Sequence, residues 1–153
     1  MRINVKEEQR KFWKIFEEKL IENGEPFSIL YEKGGEVTNW GVIDKKQSFV
    51  DNALSVDFLV REQKLRINIY IRNDLELFEK FERNRKEIES MISVPLKWII
   101  GVRNSNTRRI AYEIPIETGY YSHYDEVIDS VLPVVVEMKK VCDIYAKHKF
   151  FDF

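Results

Sequence analysis

Apolar and polar side chains alternate along residues 53–60 and again along residues 65–72, with a short polar break between the two runs. Successive side chains of a strand point to opposite faces, so each run predicts a strand with one apolar and one polar face. The break predicts a tight connection, which makes the pair an antiparallel hairpin. The apolar face consists of Leu54, Val56, Phe58, Val60, Leu65, Ile67, Ile69 and Ile71. Such a face must be covered, and helices before and after the hairpin can cover it.

Helical spacing of apolar residues predicts three helices around this hairpin. They cover residues 5–23, a segment from a capping Asn73 or Asp74 to about Ile92, and residues 124–150. In the first helix, we expect Trp13 and Phe16 to pack in the core rather than to bind a ligand. In the last helix, we expect Pro133 to kink the helix or divide it in two, because proline lacks the backbone donor that a helix needs.

Four further strands complete the predicted sheet. They cover residues 27–31, 38–43, 96–102 and 108–116. The element order is therefore helix, four strands, helix, two strands, helix, with hairpin-type connections between consecutive strands. We predict an α+β fold in which a mainly antiparallel sheet of about six strands carries its helices on one face. Because no linker or repeat interrupts residues 1–153, the sequence predicts a single domain.

Composition narrows the function only slightly. The chain has 153 residues, of which 44% are hydrophobic and 33% charged, and its formal net charge is −1. These values indicate a globular protein without overall attraction for nucleic acid or anionic lipid, so any basic surface must be local. The single cysteine, Cys142, cannot form an internal disulfide, and no run resembles a signal peptide or a membrane span. Both features favour a cytoplasmic protein that does not contact membranes.

Residues typical of an active site are sparse. The sequence contains no phosphate-binding glycine loop, no HExxH and no Gly-x-Ser-x-Gly motif, and its two histidines, His123 and His148, are far apart. We therefore predict no catalytic residue, no metal site and no cofactor. One catalytic alternative is a divergent metal-dependent nuclease that uses Asp57, Glu62 and Lys64. A charged hairpin turn explains Glu62 and Lys64 better, because they fall between two strands rather than along a strand edge that faces Asp57.

A local excess of basic residues is the most informative feature for function. Residues 90–112 contain no acid, whereas residues 113–138 contain no lysine or arginine. The polar face of the central hairpin carries arginines and a tyrosine, and we expect the second hairpin to extend this face. Arginines bind phosphates and aromatic rings stack on bases, so an open face of this kind can bind nucleic acid. The candidate residues are Arg66, Tyr70, Arg72, Lys97, Arg103, Arg108 and Arg109.

Two other interpretations of this face stay open. In one, the arginines pair with Asp57 and Glu113, and the face is an ordinary solvated sheet surface. In the other, the protein is a protein-interaction or self-association module that uses exposed Leu59 and Ile99. If Arg66 and Arg72 were covered by a helix or locked in ion pairs, no docking surface would remain there.

Several segments along nearly the whole chain share a pattern with a known family. They are Phe12-Trp13, Phe16 and Leu20, then Trp40, then Leu65-Arg66-Ile67-Asn68-Ile69-Tyr70-Ile71, then Pro95-Leu96-Lys97-Trp98, and then Arg108-Arg109-Ile110-Ala111. The PLxW segment followed by RIA is the most specific part. Together these segments resemble the prokaryotic family called domain of unknown function 4268. Members often follow restriction-endonuclease-like domains or stand alone. The resemblance therefore implies an accessory module in a restriction or defence context, with nucleic acid or a nuclease as its partner, and it carries over no catalytic residues.

Overall fold

The two alternating runs form the centre of a six-stranded sheet. The computed structural model describes residues 3–24, 27–31, 38–45, 51–101, 106–119 and 123–151. In chain order the elements are α1 (Val5–Glu22), β1 (Ile29–Tyr31), β2 (Trp40–Ile43), β3 (Asn52–Leu59), β4 (Lys64–Arg72), α2 (Leu75–Arg83), α3 (Arg85–Met91), β5 (Lys97–Ile100), β6 (Thr107–Pro115) and α4 (Tyr124–Phe150). The strand order is β1-β2-β3-β4-β6-β5, and every neighbouring pair is antiparallel. The predicted α+β fold class is confirmed.

The apolar face of the central strands is covered by helices α1 and α4. The ring of Phe12 in α1 stacks on Phe58 of β3, with ring centroids 4.2 Å apart. The indole N–H of Trp13 donates a hydrogen bond to the backbone carbonyl of Thr38 at 2.9 Å, so the one polar atom of this ring is satisfied inside the core. Trp13 and Phe16 are fully buried, which confirms that they are core residues.

The helical segment after β4 begins as predicted but is divided in two. Its cap is Asp74, whose side chain accepts a hydrogen bond from the backbone N–H of Leu77 at 3.1 Å. The segment breaks at Asn84, which ends α2 and begins α3 with backbone angles of φ −105° and ψ 18°. The amide of Asn84 donates to the backbone carbonyl of Lys80 at 2.8 Å. Asparagine favours such local bonds over continued helix, which explains the break.

The last helix is interrupted at a different residue from the predicted one. α4 is not divided at Pro133, because this residue is exposed and the carbonyl that loses its helical donor can be hydrated. The residue with non-helical angles inside α4 is Ala146, at φ −164° and ψ 49°. There, the ammonium group of Lys80 donates to the backbone carbonyl of Tyr145 at 2.6 Å, so a carbonyl at the break is satisfied from α2.

The remaining predicted elements are present with shifted ends. Each strand of the second hairpin and of the first pair is found within a few residues of its predicted range. The turn predicted over residues 32–36 and most of the loop predicted over 103–107, including Arg103, lie outside the described residues. Among the helices described, none has both the length and the apolar composition that a membrane span requires.

The polar sheet face as a candidate binding site

The sheet surface opposite the helices carries a cluster of charged and polar side chains. Strand register places them together, because Asp57 is paired with Arg66, Arg66 with Glu113, and Tyr70 with Arg109 across β3, β4 and β6. Paired residues of neighbouring strands have their side chains on the same face. We call this surface the polar sheet face, and it consists of Ser55, Asp57, Lys64, Arg66, Asn68, Tyr70, Lys97, Arg109 and Glu113.

The centre of the polar sheet face is a buried carboxylate. The side chain of Asp57 is 1% exposed. It accepts hydrogen bonds from the Arg66 Nε at 2.7 Å, from the Asn68 amide at 3.1 Å and from the Ser55 hydroxyl, and an Arg109 guanidinium nitrogen lies 3.5 Å away. A buried charge is tolerated when it is paired and hydrogen-bonded in this way. Asp57 therefore fixes the two arginines that stand above it.

Arg109 is held by three neighbours. Its guanidinium donates to the side-chain carbonyl of Asn68 at 2.6 Å and lies 4.5 Å from the centre of the Tyr70 ring. Burial lowers the pKa of Arg109, the charge of Arg66 lowers it further, and the charge of Asp57 opposes both. Arginine nevertheless stays protonated in proteins, so the group keeps its charge. The stack on Tyr70 occupies part of the ring that was predicted to stack on bases.

The second carboxylate of the polar sheet face, Glu113, lies close to two lysines and to Arg66. Its oxygens lie 3.0 Å from the Lys97 ammonium, 3.7 Å from the Lys64 ammonium and 3.6 Å from an Arg66 guanidinium nitrogen. Burial would raise the pKa of Glu113. The hydrogen bond from Lys97 and the charges of Lys64 and Arg66 outweigh burial and lower this pKa from its ordinary value of 4.5. Glu113 is therefore ionised at neutral pH.

The ion pairs of the arginines with Asp57 and Glu113 that one interpretation predicted are present. Arg66 lies between both carboxylates and is only 18% exposed, so its guanidinium is committed to the protein. Because Arg66 is held in ion pairs, it does not offer a free docking site on the polar sheet face. Arg72 differs, because its 3.4 Å pair with Asp51 joins two side chains that are each about half exposed. Exposed pairs of this kind are weak and exchange readily with another anion.

The structure brings some of the predicted binding residues together and separates others. Lys97, 64% exposed, lies at the edge of the polar sheet face, and Arg72 lies at the end of β4. Arg108 points to the opposite face, where its guanidinium lies 5.6 Å from the ring centre of Phe78 in α2. Neighbouring residues of a strand alternate between faces, so Arg108 and Arg109 cannot share one surface. Arg103 lies outside the residues that the structure describes.

Three residues of the polar sheet face were not predicted from the sequence as binding or positioning residues. Lys64 was considered only as part of a nuclease site, although it is 42% exposed beside Glu113. Ser55 and Asn68 both bond to Asp57. Alternation along β3 and β4 was the available signal, because it places both residues on the same face as Asp57.

Charge on the polar sheet face is unbalanced. Four cations, namely Lys64, Arg66, Lys97 and Arg109, stand against two carboxylates, Asp57 and Glu113, so the face carries two positive charges in excess. The arginines lie at the buried centre, whereas the lysines lie at the exposed edge. An anion that approaches this face therefore meets ammonium groups first.

The geometry gives little support to the nuclease alternative. Glu62 lies in the exposed turn between β3 and β4, whereas Asp57 is buried within β3 under two guanidinium groups. Both guanidinium groups pair with the Asp57 carboxylate, which a nuclease would need as a metal ligand. Within the described part of the chain, no three His, Cys, Asp or Glu side chains form a group that could hold a metal.

Cys142 lies in the core, among the buried residues of α4. Its side chain is fully buried, and burial raises the pKa of the thiol well above its ordinary value of 9.0, with a further contribution from Asp143. A thiol in this environment is a poor nucleophile. Cys142 is therefore a packing residue.

Fold and site together define an α+β domain with helices on one face of an antiparallel sheet and an ion-paired, net positive network on the other. A family model described as Domain of unknown function (DUF4268) matches residues 8–146, and the chain belongs to this family. The resemblance seen in the sequence is thereby confirmed at the level of the family. Comparisons with curated proteins and with solved structures find no match.

Proposed function

We propose that this protein is a non-catalytic module that binds nucleic-acid phosphates along the edge of the polar sheet face. The observation that carries the proposal is the excess of two positive charges on a sheet face against which none of the described helices packs. Phosphate contacts supply most of the affinity of sequence-independent nucleic-acid binding, and lysine and arginine make them.

The exposed cations are the phosphate-binding residues in this proposal. Lys64, Arg72 and Lys97 are between 42% and 64% exposed. Among the described residues, Arg72 pairs with the half-exposed Asp51, and the two lysines share Glu113. We call these three residues the edge cations. A phosphate can displace Glu113 from an ammonium group at small cost, because Arg66 continues to neutralise that carboxylate.

The buried centre has a supporting role. Arg66 and Arg109 neutralise Asp57, so that the negative charge beneath the face does not repel a phosphate backbone. Tyr70 is half-buried and carries Arg109 against its ring, which gives the surface an aromatic and guanidinium pair beside the edge cations. Both groups can pack against an unpaired base.

The biological setting of the proposal rests on the family resemblance. Similar domains accompany restriction-endonuclease-like domains, so we place this protein in a prokaryotic cytoplasm as an accessory module of a restriction or defence nuclease. In that setting the module would hold nucleic acid while a separate nuclease domain or chain cuts it. This setting is supported by the domains that accompany similar domains, and not by the chemistry of residues in this chain.

A salt titration of oligonucleotide binding tests the proposal. Fluorescence anisotropy of a labelled single strand should report an affinity that falls roughly 20-fold between about 50 mM and 200 mM salt, as expected for three phosphate contacts at about 0.7 in logarithmic slope each. The triple variant Lys64→Gln, Arg72→Gln, Lys97→Gln should abolish this binding.

A matched control removes the same number of positive charges from the helical side of the protein. The triple variant Arg83→Gln, Lys86→Gln, Lys147→Gln removes three exposed cations from the helices, and it should keep the affinity and the salt dependence of the original protein. Equal loss of binding in both triple variants would indicate a general charge effect and would contradict the proposed site. Absence of binding at low salt in the original protein would contradict the function.

A further inference from the structure

The outer side of β5 is an open and mostly apolar sheet edge. In the described part of the chain, β5 pairs with β6 and with no strand on its other side. Its sequence, Lys97-Trp98-Ile99-Ile100, contains one charge and three large apolar residues, and Ile100 is 57% exposed. Soluble proteins usually protect such edges with charges, prolines or bulges, so an apolar edge is a template for pairing with another strand.

The backbone of β5 presents a defined set of hydrogen-bonding groups to this edge. The N–H of Gly101 donates to the carbonyl of Thr107 at 3.0 Å, in register with the pairing of Ile99 with Arg109. Hydrogen-bonded pairs alternate along an antiparallel ladder, so Ile99 also bonds to β6. The N–H and C=O groups of the intervening Trp98 and Ile100 therefore point away from β6, towards the open edge.

We propose that two copies of this chain associate through antiparallel pairing of their β5 strands about a two-fold axis at Ile99. In this register Trp98 of each copy lies opposite Ile100 of the other, and each pair forms two backbone hydrogen bonds. Both outward-pointing residues of each strand thus gain partners. The two sheets become one continuous sheet, with the polar sheet faces on the same side.

The side chains are self-complementary in this register. Trp98 and Ile100 of the second copy lie side by side on the helix-covered side, an aromatic and β-branched pair of the kind that stabilises cross-strand contacts. The exposed Ile100 is thereby covered. On the polar sheet face, Ile99 contacts Ile99 of the second copy across the two-fold axis.

The charges of β5 do not oppose a second copy at this edge. Each Lys97 lies opposite Gly101 of the other copy, which has no side chain to obstruct it. The two Lys97 residues lie four positions apart along the ladder, about 14 Å at the usual rise of a strand. This separation exceeds the Debye length of about 8 Å at physiological salt, so their repulsion is largely screened.

The size of the contact sets the expected strength. A ladder of four residues is short, and Pro95 cannot extend it because it lacks a backbone donor. Stable dimers bury about 1,200–2,000 Å² in total, and this ladder alone reaches only part of that range. We therefore expect a reversible dimer that forms as the protein concentration rises.

Sedimentation equilibrium of the full chain tests the proposal over protein concentrations from about 1 µM to 500 µM, a range suited to weak self-association. The average mass should rise from 18.4 kDa towards twice that value. Ile100→Pro removes an outward-pointing donor without removing a bond to β6, and it should hold the mass at that of a monomer. Ile99→Lys places two ammonium groups at the axis and should have the same effect.

Ile21→Lys is the matched control, because Ile21 is 78% exposed on α1, a helix whose Phe12 packs against Phe58 of β3 near the centre of the sheet. It should dimerise like the original protein, and circular dichroism should show all three variants to be folded. A mass of 18.4 kDa throughout the range would overturn the proposal. So would a dimer that persists in both Ile99→Lys and Ile100→Pro, or a gain in mass that requires a different, copurifying protein.

Discussion

Removal of the buried carboxylate of Asp57 should destabilise the fold far more than removal of an exposed one. Asp57→Ala leaves the guanidinium groups of Arg66 and Arg109 without the carboxylate that neutralises them. Breaking a buried ion pair by deleting one partner costs about 3–5 kcal/mol. Glu113 and Asn68 still bond to the two arginines, so we expect a value near the lower end, about 3 kcal/mol.

This loss is large on the scale of the whole protein. A domain of this size is stable by about 5–15 kcal/mol, and each kcal/mol corresponds to roughly 2–4 °C in the midpoint of thermal unfolding. Asp57→Ala should therefore lower the midpoint by about 6–12 °C. Urea denaturation followed by tryptophan fluorescence and by circular dichroism measures the free energy of unfolding directly.

The control is a carboxylate just before the same strand. Asp51→Ala breaks the 3.4 Å pair with Arg72, in which both side chains are about half exposed, and it should cost less than about 1 kcal/mol. The double variant Asp57→Ala, Arg66→Met should recover part of the loss, because it removes an uncompensated buried charge. If Asp57→Ala and Asp51→Ala had equal costs, the polar sheet face would not be the buried ion-pair network described above.

Three further predictions concern the core, the thiol and pH. Gly41→Ala should destabilise the protein by about 1–3 kcal/mol in urea denaturation, because the added Cβ would lie 2.7 Å from Cγ2 of Ile29; an unchanged midpoint would contradict this close contact. Cys142 should resist a thiol reagent such as iodoacetamide until the protein is unfolded, and rapid modification in native buffer, measured by mass spectrometry, would show that the core is open. Since the folded protein lowers the pKa of Glu113, this residue should contribute stability above pH 4.5 that is lost as pH falls through the lowered pKa. Glu113→Gln should therefore flatten the acid side of the stability profile, and an unaltered profile would refute the assignment.

The architecture follows from local patterns, which is why it was predictable. Alternation along β3 and β4 identifies the strands and their faces, and helical spacing identifies α1 and α4. The break at Ala146 was not predictable, because it is accompanied by a hydrogen bond from Lys80 of α2, which is distant in sequence. The break at Asn84 has a local signal, the bond of the asparagine amide to the carbonyl four residues earlier. Pro133 was a misleading signal, since an exposed proline can be accommodated within a helix.

The candidate site was only partly predictable for a related reason. The pairs of Arg66 with Asp57 and Glu113 were anticipated as one interpretation, because alternation places all three on a polar face. The role of Lys64 was not, because it was wrongly assigned to the turn, whereas it begins β4, and the register of β4 with β6 brings Glu113 beside it. Long-range register of this kind cannot be obtained from one hairpin at a time.

An NMR titration of the isotopically labelled protein with a short oligonucleotide at low salt would locate the phosphate contacts residue by residue. Backbone amide shifts should cluster at the edge cations, Lys64, Arg72 and Lys97, and vanish as salt is raised. Shifts that are absent, or that cluster on the helical side around Arg83, Lys86 and Lys147, would contradict phosphate binding at the polar sheet face.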